Sequence, residues 1–160
     1  MNNLLSEFNP EIAEKARTRM DLDINEIEGE EWYPFKNMRQ YIEQVSDDAQ
    51  RAVGKMMVRL SSEDAEMPDP IPMPTEVIKS LVLDLKTNHR KDNYFEAQFL
   101  EEGDEFIKMR YDTEGMVAYY EGIFEAILNM YEIYRVHIKT IVEEEKETQQ
   151  ISLMEIKWEF

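Results

Sequence analysis

No cysteine occurs among the 160 residues. Disulfide scaffolds, thiol catalysis and cysteine-ligated zinc or iron–sulfur centres are therefore excluded together. Only five glycines are present, and none stands in G-x-G-x-x-G or another phosphate-cradling loop. No serine lies in G-x-S-x-G. Positive charge is also scarce: 18 Lys+Arg face 35 Asp+Glu, for a formal net charge of −17. A field of that sign repels phosphate backbones and anionic lipid surfaces, so neither nucleic acid nor a membrane surface is an expected partner. Apolar runs such as Met116–Tyr120 are far too short to cross a bilayer, so membrane insertion is not expected. Residues Met1–Glu7 contain no basic stretch followed by an apolar one, and the expected location is cytoplasmic.

What is present describes a folded domain. Hydrophobic residues make up 42% and aromatics 11%, enough to build a core and too many for wholesale disorder. Residues 1–31 read as an N-terminal segment with a short helix opened by Asn9-Pro10. Residues 32–160 read as a single α+β domain of ligand-binding type. Within it Met38, Tyr41, Ile42, Val45, Ala49, Ala52, Val53, Met56 and Leu60 recur at helical spacing over 37–60. Ser46-Asp47-Asp48 interrupts this stripe, either as a kink or as the start of a second helix. Prolines 68, 70, 72 and 74 impose an extended connection, after which Thr75 is expected to cap a helix over 75–87.

The period then falls to two. Phe95, Ala97 and Phe99 share one face, Glu101-Glu102-Gly103-Asp104 forms a turn, and Ile107, Met109 and Tyr111 alternate on the return. A helix over 116–130 follows. A second hairpin sets Tyr134, Val136 and Ile138 against Met154, Ile156, Trp158 and Phe160, with a charged turn between. The expected class is α+β: N-terminal helices followed by ββαββ, with one antiparallel four-stranded sheet packed against helices.

Few residues carry a chemical signal. Asp21-x-Asp23-x-Asn25 begins like a calcium loop, but Glu26 stands where the loop needs glycine and Trp32 where it needs a bidentate glutamate. His89 lies in a polar junction and His137 on a strand face shared with Arg135 and Lys139, so neither is expected to hold metal or haem. The acidic pairs Glu101/Glu102 and Asp104/Glu105 fall in a predicted turn, open to water. That is the wrong setting for acid–base work. Gly122 is different. It interrupts a helix at a cost of about 1 kcal/mol, which implies close approach of its backbone to the sheet or to a bound molecule.

Several strings, taken in order, resemble the superfamily that joins haem–nitric-oxide-binding sensor domains, vinyl-reductase-type ligand-binding domains and Golgi transport-particle subunits. These are Trp32-Tyr33-Pro34-Phe35 leading to Ala52-Val53-Gly54-Lys55, then Asn88-His89-Arg90, then Asp112-Thr113 with Tyr120-Glu121-Gly122-Ile123, and last Ile156-Lys157-Trp158. The resemblance covers roughly residues 30–160. The haem-binding branch clamps the haem propionates with a tyrosine-x-serine-x-arginine string that has no counterpart here. The cysteines of the vinyl-reductase-like branch are missing as well. Members bind apolar ligands between helices and sheet, or act as dimerising interaction modules.

The resemblance therefore implies a non-enzymatic sensory domain without cofactor or metal. Its small apolar or aromatic ligand is expected between the 116–130 helix and the sheet, lined by Phe95, Phe99, Met109, Tyr120, Gly122, Phe124 and Trp158. The alternative is a homodimeric adaptor in which the same residues make a solid core. A homodimer and a signalling partner are expected in either case.

Overall fold

The computed structural model describes residue 39 and residues 42–62, 70–87, 97–146 and 149–159. The chain divides into two compact units, Met1–Ser46 and Asp47–Phe160. The possible helix after Asn9-Pro10, the acidic string Asp21–Asn25, Phe95 and His89 lie outside the described residues.

Among the described residues of the second unit seven elements follow one another. They are α1 (Asp47–Ser61), α2 (Pro74–Thr87), β1 (Gln98–Gly103), β2 (Phe106–Asp112), α3 (Val117–Met130), β3 (Arg135–Lys146) and β4 (Gln149–Glu159). The four strands form one antiparallel sheet in the order β1-β2-β4-β3. The α+β class and the ββαββ order thus stand as the periodicity predicts. α3 carries the chain across the sheet, so β4 returns into the gap between β2 and β3.

The interruption at Ser46-Asp47-Asp48 is the start of a new helix. Val45 N–H donates to the Ile42 carbonyl in a turn, and α1 then begins with Asp47 and Asp48 in its first turn, where carboxylates favour the helix dipole. The start of α2 differs from expectation by two residues. Pro74 takes the first helical position, where its missing N–H costs nothing, and Met73 rather than Thr75 is the cap. Met73 has no side-chain oxygen to offer. Instead its own N–H donates to Glu76 Oε2 at 3.1 Å, and its carbonyl accepts from Glu76 N at 2.9 Å.

β3 and β4 are longer than the alternation implied, and β1 is shifted along the chain, starting at Gln98 and leaving Ala97 outside it. β1 runs through Gly103, so the turn is Asp104–Glu105 rather than Glu101–Asp104. β3 continues to Lys146, well past the expected end, because Glu144, Glu145 and Lys146 pair with Ile151, Gln150 and Gln149 of β4, after a register shift at Val142–Glu144, instead of forming a wide turn. Tyr134 lies just before the strand and is exposed rather than facing the core.

Along β2, β3 and β4 one face is apolar. Ile107 pairs with Ile156, Met109 with Met154 and Val136 with Trp158, and the six point the same way. α3 covers that face with Tyr120, Phe124 and Leu128, all buried. α1 packs on α3, and the contact is made through glycine on both sides. A Cβ on Gly54 would stand 2.1 Å from the Tyr119 carbonyl oxygen, and one on Gly122 would stand 2.2 Å from that of Arg51. The close approach expected at Gly122 is therefore real, but its partner is a neighbouring helix, neither the sheet nor a ligand.

Candidate functional site

The sequence-derived site residues divide into two groups. Met109, Tyr120, Phe124 and Trp158 come together where α3 meets the sheet, each no more than 1% exposed, and Phe99 is half-buried on β1. Tyr111, which the sequence reading did not include, joins them. Its ring meets Tyr120 edge-on at 5.2 Å and Phe124 at 5.8 Å, the T-shaped arrangement that aromatic quadrupoles favour. The Trp158 indole N–H donates to the Asp104 carbonyl at 3.0 Å and so ties the first hairpin turn to β4. Gly122 belongs elsewhere, on the face of α3 that meets α1.

A polar cluster sits beside this apolar contact, at the junction of β2 and α3. Asp112 Oδ1 accepts from the backbone N–H of Glu114 and of Gln150, each at 3.0 Å. The Thr113 hydroxyl lies 2.9 Å from Gln150 Oε1, 3.1 Å from the Gln150 carbonyl and 3.0 Å from the Ser152 hydroxyl. Glu114 has a φ of 50° and Gly115 one of 85°, so the chain turns sharply through the left-handed region before α3 starts. Tyr120 then donates its hydroxyl to Glu114 Oε2 at 3.3 Å. Burial pushes the Tyr120 hydroxyl pKa well above its usual value, and nearby Tyr111 and Glu114 push it further.

The signal for this cluster was available as Asp112-Thr113, an acid and a hydroxyl directly after a strand and shortly before a helix. Its partners, Gln150 and Ser152, are nearly forty positions away. Only the pairing of β2 with β4 brings them in.

Two open clefts flank the sheet. One of about 230 Å³ lies between α1, α3 and β3, lined by Arg51, Glu121, Glu125, Val136, His137 and Ile138. Its charges are mutually engaged: Arg51 pairs with Glu121, Lys55 Nζ reaches Glu125 at 2.6 Å, and Thr140 donates to Glu121 Oε1 at 2.7 Å. The bond to Glu121 raises the Arg51 pKa above its usual value, against a smaller desolvation effect. The second cleft, about 430 Å³, lies on the sheet face away from α3, lined by Gln98, Arg110, Glu143, Glu144 and Ile151. Neither cleft is bordered by the aromatic group. His137 is exposed on that outer face, as its alternation with Val136 and Ile138 predicts. Among the described residues no group of three or more His, Asp or Glu side chains is placed to hold a metal ion, and no helix is long and apolar enough to cross a membrane.

The architecture is that of the haem–nitric-oxide-binding, or H-NOX, domain. A mutant of the T. tengcongensis H-NOX protein superposes with a TM-score of 0.70 at 13% identity, covering 99% of this chain and 93% of that one. A mutant of the K. algicida H-NOX protein in its Fe(II) unliganded state gives 0.68 at 16%, covering 99% and 92%. A structure that probes haem distortion in the H-NOX family gives 0.72 at 13%, covering 99% and 90%. The resemblance read from the sequence thus holds at the level of fold. No family model and no curated protein sequence matches the chain.

The described residues do not fit haem. In Tyr111-Asp112-Thr113-Glu114-Gly115 a tyrosine and a hydroxyl have the spacing of the propionate clamp, but glycine stands where arginine would be. The Thr113 hydroxyl is already committed to β4. The buried side chains beside it are the carboxylates of Asp112 and Glu114, which repel a propionate where the clamp would attract it.

Proposed function

We propose that this chain is a non-enzymatic sensory or regulatory domain that binds a small apolar or aromatic ligand between α3 and the sheet. What supports this reading is the H-NOX-type architecture over nearly the whole chain. Phe95, Phe99, Met109, Tyr120, Phe124 and Trp158 would line the site, while Gly122 acts at the α1 contact. Because most of these side chains are fully buried, admitting a ligand requires α3 to part from the sheet. Occupancy is then coupled to the position of α3, the two-state element through which a sensor reports to a signalling partner. A homodimer in the cytoplasm belongs to the same reading.

One observation favours a second reading. The aromatic group is closed ring against ring, as in the solid core of a homodimeric adaptor. Thermal melts with indole as an apolar aromatic probe separate the two. A sensor gives a saturable rise in Tm, following the logarithm of probe concentration, and native mass spectrometry of the purified protein shows an adduct. An adaptor gives neither. Phe124→Ala serves as the control, since an engineered apolar cavity admits such probes whether or not the native protein does.

A further inference from the structure

β3 is an edge strand, and its charge is distributed in two opposite halves. Arg135, His137 and Lys139 occupy the first half, exposed on the face away from α3, and Glu143, Glu144 and Glu145 are exposed in the second. Between them stand Ile141 and Val142, 50% and 44% exposed. From Ile141 to Glu145 exposure no longer alternates.

An edge strand offers a row of backbone N–H and C=O groups to any passing chain, and charges or bulges usually blunt it. Here both devices are present, since the register shifts between Val142 and Glu144. The charges, however, are not of one sign. A parallel copy of the strand sets Lys139 on Lys139 and glutamate on glutamate. An antiparallel copy reverses the halves and sets opposite signs together. The antiparallel arrangement is complementary to itself.

We propose that β3 is an assembly edge, pairing antiparallel with β3 of a second copy about a two-fold axis at Ile141. Two four-stranded sheets then become one of eight. The two Ile141 side chains meet at the axis, beside Leu153 on the neighbouring strand. Lys139 of each copy faces Glu143 and Glu144 of the other. The bulge lets both carboxylates approach the same cation. Arg110 and Glu143, 2.7 Å apart, extend the ionic row across each sheet. This inference rests on the homodimer reading above and names the surface that the reading leaves open.

Charge exchange tests it. Lys139→Glu sets carboxylate against carboxylate across the two-fold axis, and Glu143→Lys with Glu144→Lys sets cation against cation. These are surface changes, and far-ultraviolet circular dichroism checks that each variant is folded. In sedimentation velocity at tens of micromolar the wild type is expected as a dimer. Each variant alone should dissociate about tenfold more readily or be monomeric, and an equimolar mixture should recover the dimer. Backbone hydrogen exchange of the wild type supplies a second readout: amides of 140–144 should gain protection as concentration rises. A dimer indifferent to both variants overturns the edge assignment and leaves the homodimer reading standing on another surface. A wild-type monomer at these concentrations overturns both.

Discussion

Gly122 of α3 presents its bare Cα to the carbonyl of Arg51 on α1, leaving no space for even a methyl group between the two backbones. Gly54 repeats the relationship in reverse against Tyr119. Gly122→Ala should therefore destabilise the fold, although alanine favours helix by about 1 kcal/mol. A Cβ that meets a carbonyl rather than a flexible side chain forces the helices apart, and such overpacking costs about 1–3 kcal/mol. Net loss in urea denaturation, larger for the Gly54→Ala/Gly122→Ala pair, is the expected result. A neutral or stabilising Gly122→Ala would show that the helices separate freely.

Thr113 links the start of α3 to β4 through a hydroxyl that is fully buried. Thr113→Val keeps its shape and strands Ser152 and Gln150, which should cost about 1–3 kcal/mol. Adding Ser152→Ala removes one of the stranded groups, so the double variant should lose less than the two single losses combined. Strict additivity by denaturant titration would contradict the linkage.

Burial pushes the Tyr119 pKa up to about 12, and Tyr120 is raised too. A tyrosine in the unfolded chain ionises near pH 10, so above that pH unfolding releases protons and is favoured. The stabilisation is complete below about pH 10 and is lost as pH rises through about 12. For Tyr119 alone the two-unit difference corresponds to about 3 kcal/mol. Tyr119→Phe should flatten the loss of stability between about pH 10 and 12. An unchanged slope would mean that this hydroxyl is not the group responsible.

Haem added to the purified chain should give the absorption spectrum of free haem, with no stoichiometric Soret shift. The reason is electrostatic: the β2–α3 junction offers buried carboxylates where a propionate needs a cation. A tight complex would require another anchoring group and would overturn the incompatibility of this junction with haem.

The parts of the fold that the sequence made legible are those with a clear period. Ile107, Met109 and Tyr111 announce their shared face by alternation alone, and Tyr120, Phe124 and Leu128 announce theirs by helical spacing. The end of β3 could not be read in this way. Ile141–Glu145 are exposed one after another, so no alternation of burial marks where the strand ends. The Thr113–Ser152 contact depends on strand order, which local pattern does not encode. Gly122 advertised a close approach, but nothing near it in the chain named Arg51 as the neighbour.

β4 follows β3 in the chain, yet it lies between β2 and β3. A nascent chain holding everything through residue 148 therefore has a hairpin and a lone strand with no ladder joining them, and α3 has only half a surface to cover. Hydrophobic side chains such as Met109, Phe124 and Ile138 must wait in water until Gln149–Glu159 leave the ribosome. Folding of the sheet is thus a long-range closure rather than a progressive one, and a truncation before Gln149 removes an interior strand rather than trimming an edge.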